Sequence, residues 1–206
     1  FKSNNDEIFY KKNEISFKKS IEFKNVSFKY DKAKNDVINN LNFTINKNDK
    51  VAIIGKTGLG KSTMVDLLIG LINPQSGSIF IDNNELNENN IRNWFKKISY
   101  VPQKIFFLGE SIYENISLGN NKNSDPINLK KILNFSELNN KSINLDNVFS
   151  KKVEDSGKNL SGGEKQRISI ARAMYQNRDI IILDEATSAL DKDTEEKIIT
   201  KLLSLD

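Results

Sequence analysis

Cysteine is absent from this sequence, which excludes disulfides and thiolate metal sites and suits a reducing compartment. Long apolar runs are absent too. The longest blocks, Val-Ala-Ile-Ile at 51–54 and Ile-Ile-Ile-Leu at 180–183, fall far short of the roughly 20 residues that span a bilayer. The chain itself is therefore expected outside the membrane. It opens at Phe1 with no initiator methionine and no charged-then-apolar leader, the pattern expected of a fragment cut from a longer protein. There is no basic strip interleaved with aromatics, since the lysines are scattered among Asn and Asp, so nucleic acid is not an expected partner. Internal repeats and long low-complexity tracts are missing as well.

What is present fits one sizeable domain. The 206 residues are enough to bury a core, and 37% hydrophobic with 28% charged content is ordinary for a water-soluble globular chain. A net charge of +4 suits either an anionic partner or a lysine-coated, solvated surface. Asn-Asn pairs at 39–40, 83–84, 89–90 and 139–140 are expected in turns, where Asn tolerates left-handed backbone.

Residues 1–20 are polar and weakly patterned, as in a linker leading into a domain. From Ile21 the pattern becomes strand-like: Ile21, Phe23, Val26, Phe28 and Tyr30 alternate, with Lys24-Asn25 breaking the register. Leu41, Phe43 and Ile45 alternate again, so a half-exposed antiparallel sheet is expected near the start. The continuous apolar runs 51–54 and 180–183 read instead as strands buried on both faces. Short strands are expected at 78–82 and 98–101. Met64, Leu67, Leu68 and Leu71 have helical spacing over 61–71, and a helix over 164–175 follows Ser161, with Glu164 completing a capping box. Asp193 and Glu196 repeat that box before Ile198, Ile199, Leu202 and Leu203. Between about 104 and 163 the pattern is weaker and mainly helical, clearest at 127–135. The sum is an α/β domain with a mainly parallel core sheet, an N-terminal antiparallel β region and a helical insertion.

Gly55-Lys56-Thr57-Gly58-Leu59-Gly60-Lys61-Ser62-Thr63 fits the phosphate-binding pattern G-x-x-x-x-G-K-S/T between an apolar run and a helix. The glycines let successive backbone N–H groups turn toward phosphate oxygens, and the helix N-terminus adds its unpaired donors. Lys61 is the residue to reach the β- and γ-phosphates, and the Ser62 hydroxyl the one to ligate Mg²⁺. Ile180-Ile181-Ile182-Leu183-Asp184-Glu185 delivers two carboxylates from the end of a strand. Asp184 suits the outer shell of Mg²⁺, and Glu185 suits an attacking water. By itself an apolar strand followed by acids is common; the phosphate loop in the same chain gives it weight.

Leu160-Ser161-Gly162-Gly163-Glu164-Lys165-Gln166-Arg167 opens the next helix, a second anion-suited N-terminus in one chain. A capped helix after a glycine turn accounts for Ser161 and Glu164, but not for two glycines plus Gln166-Arg167. This run resembles the signature motif of ATP-binding cassette (ABC) ATPases, and the resemblance covers about residues 21–206. It implies a P-loop NTPase of ABC type that binds and hydrolyses ATP with Mg²⁺. It also implies that Ser161, Gly162 and Gly163 act in trans on the γ-phosphate held by a second nucleotide-binding domain, in a head-to-tail dimer. Tyr30 resembles the aromatic that stacks on adenine; a strand-end core aromatic is the other reading. Gln103, after Tyr-Val-Pro, resembles the glutamine that senses Mg²⁺ and couples to the transport domain; a polar turn residue is the alternative. Asp191, closing Ser-Ala-Leu-Asp, matches the loop that passes signals between subunits. The family also carries a histidine beyond its catalytic glutamate. This sequence has none and ends 21 residues after Glu185, so the resemblance implies a truncated C-terminal end and weak or absent hydrolysis by these residues alone.

Gln103-Lys-Ile-Phe-Phe-Leu and Ser-Ile-Tyr-Glu-Asn-Ile-Ser-Leu-Gly at 111–119 resemble export-type transporters. That implies a transmembrane domain N-terminal on the same chain and a place at the cytoplasmic face of the cell (inner) membrane. Arg92-Asn-Trp-Phe through Gln103 is similar to bacterial flippases of lipid-linked glycans or polysaccharides, unless Trp94 is a core aromatic. The competing class is a soluble ABC ATPase of DNA repair or translation. It would usually carry a coiled-coil or zinc insertion, or two cassettes on one chain.

Overall fold

Alternation builds the first sheet. The computed structural model describes residues 15–31, 33–120, 125–139 and 143–205, which fall into two compact units divided between Ile98 and Ser99. In the first, β1 (Ser20–Phe28) lies between β2 (Ile38–Asn46) and β3 (Ser76–Ile81), and β3 carries the two-residue β4 (Asn84–Glu85). Every pairing in this four-stranded sheet is antiparallel. Ile21 faces Ile45 and Phe23 faces Phe43, whose rings stack at 4.4 Å. Register shifts on both sides of β1 fall at Lys24-Asn25, where Asn25 has φ +53°. The break in alternation is thus a bulge, which restores the apolar face at Val26. Asn48, Asn83 and Asn177 have positive φ in turns, as expected of Asn there; Asn40 also has positive φ but lies inside β2, so the pair 39–40 is in a strand and not in a turn.

Helix α1 (Lys61–Ile69) buries Val65, Leu67, Leu68 and Ile69. It stops at Gly70, whose N–H donates to the carbonyls of Asp66 and Leu67, so Leu71 lies beyond the helix and is exposed. The short α2 (Ile91–Phe95) places Trp94 at 0% exposure, its indole N–H donating to the Leu68 carbonyl at 2.8 Å and its ring edge-on to Phe17. Trp94 is therefore a core aromatic, and it lends the glycan-flippase reading no support.

Two expectations change in this unit. Most of the lead-in 1–20 lies outside the described residues, but Ile15 and Phe17 are already buried, and Lys18, Lys19 and Ser20 are tied through their N–H groups to the Asp82 carboxylate. The packed chain therefore begins no later than Ile15. Residues 51–54 are not in a strand, and Val51, Ile53 and Ile54 are exposed, Ile54 to 91%. The physical reason is that an apolar run codes only for burial. A strand also needs a ladder partner, and the antiparallel sheet of this unit is complete without 51–54.

The second unit pairs β5 (Ile98–Val101) with β6 (Ile180–Leu183). Ile180, Ile181 and Ile182 are half-buried and Leu183 is exposed, so β6 is less enclosed than its composition implies. Between these strands run α3 (Ile112–Ser117), α4 (Pro126–Phe135), a 3₁₀ turn (Asp155–Gly157) and α5 (Gly162–Tyr175). A single apolar cluster joins them, from Phe107 and Ile112 through Leu129 and Leu133 to Ile168 and Tyr175. Within it, Asn115 is fully buried; its carboxamide holds the Leu108, Glu110 and Ser111 backbone. Helix α6 (Lys192–Leu203) closes the unit, and its Lys201 donates to the Asn134 carbonyl at the end of α4 and pairs with Glu137. Its N-cap is Asp191, accepting from the Thr194 N–H, and not Asp193. Two acids two residues apart both suit that role in sequence, and the chain turns into the helix at the first.

Candidate functional site

In the first unit the loop 55–60 presents backbone. Gly55, Lys56, Thr57, Gly58 and Leu59 are exposed, with Gly58 and Gly60 at φ +86° and +85°. At Gly60 a Cβ would lie 2.9 Å from Val37 Cγ1 and 3.0 Å from the Val37 carbonyl oxygen, so only glycine lets the loop pass β2 and enter α1. Because glycine is the N-cap, no side chain caps α1, and its first turn contains no acid. The N–H donors there are left for an outside acceptor. Lys61 folds back over the loop, its Nζ donating to the carbonyls of Gly55 at 2.7 Å and Lys56 at 3.0 Å. Ser62 is exposed and Thr63 buried.

Tyr30 joins this group. Its hydroxyl is 3.1 Å from Thr63 Oγ1, its ring meets Phe28 edge-on, and 45% of the residue is exposed. It is anchored at the rim of the loop rather than packed inside the core, so the core-aromatic reading does not hold. The sequence had no signal for the Thr63 contact, which joins residues 33 apart.

In the second unit the end of β6 brings the acids together with their partners. The Asp184 N–H donates to Val101, and the Tyr100 hydroxyl donates to the Asp184 carboxylate at 3.2 Å. Glu185 follows at φ +51° and accepts from the Gln103 Nε2 at 2.5 Å. This contact leaves the Gln103 amide oxygen facing elsewhere as an acceptor. Tyr100 is a site residue that sequence reading missed. Its one signal was alternation along β5, which puts it on the face opposite the buried Ser99 and Val101.

Helix α5 begins at Ser161, where the capping box closes: Ser161 Oγ accepts from the Glu164 N–H, and the Glu164 carboxylate accepts from the Ser161 N–H. Gly162 and Gly163 run against the loop that follows β6, where a Cβ on Gly162 would stand 3.2 Å from Ala189 Cβ. Gln166 is buried and donates to the Glu185 carbonyl and Ser188 Oγ. Its pairing with Arg167 was the part of the run that capping left unexplained. Asp191 is held below the usual carboxylate range, first by the Thr194 backbone N–H, then by the Thr194 side chain, with Arg167 adding a smaller attraction. The second unit thus brings Gln103 and Glu185 together, and the first unit gathers Tyr30, Lys61 and Thr63.

No group of three or more His, Cys, Asp or Glu side chains gathers among the described residues. Ser62 in the first unit carries a hydroxyl oxygen, and Gln103 and Asp184 in the second carry amide and carboxylate oxygens. Each is a hard oxygen donor of the kind that Mg²⁺ takes alongside nucleotide phosphates.

Comparison with known proteins agrees with these features. A sequence model of the family described as ABC transporter matches residues 38–188. A putative export ATP-binding/permease protein of Rickettsia typhi is 42% identical over 186 residues, 89% of this chain and 32% of the relative. The mitochondrial iron-sulfur clusters transporter ABCB7 of Oryzias latipes is 36% identical, over 89% of this chain and 24% of that protein. The solved structure of a bacterial Atm1-family ABC exporter with ATP bound superposes with a TM-score of 0.83 at 31% identity, covering 92% of this chain and 33% of that one. The chain thus spans between about a quarter and a third of the length of these relatives. The match runs from β2 past Glu185 and takes in the phosphate loop, the acidic strand end and the Ser-Gly-Gly helix, and on that evidence the chain belongs to the ABC transporter family, as its ATPase domain.

Proposed function

We propose that this domain binds ATP with Mg²⁺ and hydrolyses it to drive export through a transmembrane domain on the same chain, at the cytoplasmic face of the cell membrane. The single observation that carries the proposal is the uncapped N-terminus of α1 under a glycine loop, with Lys61 folded over it. That is a polyanion site with its cation in place. No helix among the described residues is long and apolar enough to cross a membrane. The relatives are about three times longer, and "export" and "permease" in their names favour transport over a soluble ATPase of repair or translation.

In this reading the loop 55–60 cradles the phosphates, Lys61 exchanges its two carbonyl contacts for the β- and γ-phosphates, and Tyr30 offers its ring to adenine. Ser62, Asp184 and the free oxygen of Gln103 would hold Mg²⁺, directly or through water; the ion would neutralise charge on the phosphates. Glu185, oriented by Gln103, takes a proton from the attacking water. The water oxygen bonds to the γ-phosphorus, the bond to the bridging oxygen breaks, and ADP and phosphate are released. Ser161, Gly162 and Gly163 serve the γ-phosphate of a second nucleotide-binding domain, and Asp191 lies where the two domains communicate.

Calorimetric titration of the full-length protein with ATP tests the site. Lys61→Ala should remove detectable binding while leaving the thermal unfolding midpoint near that of the wild type. Unchanged affinity would overturn the assignment.

A further inference from the structure

Gln166 is 8% exposed, and its amide bonds only residues outside its own helix. Its Nε2 donates to the Glu185 carbonyl at 3.2 Å and to Ser188 Oγ at 3.0 Å, and its Oε1 accepts from the Ala189 N–H at 2.8 Å. The Ser188 hydroxyl donates to the same Glu185 carbonyl at 3.0 Å. A buried donor, Gln166, and an exposed one, Ser188, therefore converge on the carbonyl of a residue at φ +51°, a conformation that a non-glycine residue holds only when its surroundings impose it. On the side-chain end, the Glu185 carboxylate meets Gln103 at 2.5 Å.

We propose that Gln166 is a positioning residue for Glu185. It holds the backbone of Glu185 in the left-handed region and so sets where the carboxylate points, with Ser188 as a second, weaker support. The inference rests on the reading of Glu185 as the group that takes the proton from water. Gln166 touches no substrate in this arrangement, so its effect belongs in turnover and not in nucleotide affinity. A misplacement of a reacting group by about 1 Å costs on the order of a hundredfold in rate.

The test uses the full-length protein in lipid nanodiscs and measures kcat and KM for MgATP. Gln166→Leu, of similar size but without donors, should lower kcat about tenfold to a hundredfold with little change in KM. Ser188→Ala should lower kcat less. The two together should cost less than the product of the single effects, because both act on one carbonyl. A positioning role also predicts silence where the carboxylate is already gone. In a Glu185→Gln background, equilibrium binding of ATP should be the same with and without Gln166→Leu. Loss of ATP binding on adding Gln166→Leu to that background would mean that Gln166 merely holds α5 in place, and would overturn the inference. Unchanged kcat in Gln166→Leu would overturn it too, with Glu185→Gln still inactive and the proposed chemistry intact. Wild-type turnover in Glu185→Gln itself would instead overturn the reading of Glu185 and the positioning role with it. Should Gln166→Leu fail to fold, Ser188→Ala decides: reduced kcat at constant KM supports the inference, and unreduced kcat overturns it.

Discussion

Tyr30 combines an anchored hydroxyl with a partly exposed ring, and the two parts can be separated by substitution. The bond to Thr63 fixes the phenol end against α1, while the exposed ring is free to stack. Tyr30→Ala should weaken ATP by roughly 1–3 kcal/mol, the usual worth of an aromatic–base stack, and leave inorganic triphosphate nearly unaffected. Tyr30→Phe should retain most of the ATP affinity, since only the hydroxyl is lost. Titration of both ligands into each variant checks this; equal losses for ATP and triphosphate would mean that Tyr30 acts through packing alone. At this scale much of the site was legible, because loop glycines, a lysine and paired acids have few other uses in that order. The tyrosine hydroxyl bonds at Thr63 and Asp184 were not, because each joins residues far apart in the chain.

Elements depend on how their ends are fixed, and β1 is fixed by one carboxylate. Asp82, just past β3, accepts from the N–H groups of Lys18, Lys19 and Ser20 at 2.5, 2.7 and 3.0 Å. Burial works against its charge, but the three donors outweigh it, and its pKa lies below the ordinary 3.8. A lowered carboxylate pKa contributes stability that is complete above 3.8 and fades as pH falls through the folded-state value. Asp82→Asn should therefore be less stable than the wild type at pH 7, with the gap narrowing below pH 3.8, as urea titrations at several pH values would record. The bulge at Lys24-Asn25 and the capping box at Ser161 were legible because each is written in adjacent residues. The run 51–54 was misread because enclosure depends on neighbours that a sequence does not name. The stretch between α3 and α5 was weakly readable for a different reason. Leu138, Ile143, Val148 and Val153 fill its core from outside regular helices, so their spacing has no period to detect.

For the molecule as a whole, two helix N-termini with different finishes imply different duties: α1 is left uncapped at Gly60, and α5 is capped at Ser161. If the second serves a partner's nucleotide, ATP joins two domains. The domain carrying Glu185→Gln should dimerise with ATP and return to monomer with ADP, as light scattering on a sizing column would record. Ser161→Arg should abolish the dimer while leaving monomer affinity for ATP nearly unchanged. The φ of +51° at Glu185 has a further consequence, for thermal endurance. Left-handed backbone disfavours a Cβ by about 1–2 kcal/mol, so the position proposed to activate water is held at the expense of the fold. Glu185→Gly should consequently melt later than the wild type by about 2–8 °C in scanning calorimetry, with ATP hydrolysis lost. On the proposed role of Glu185, heat tolerance and turnover therefore make opposite demands on this one position.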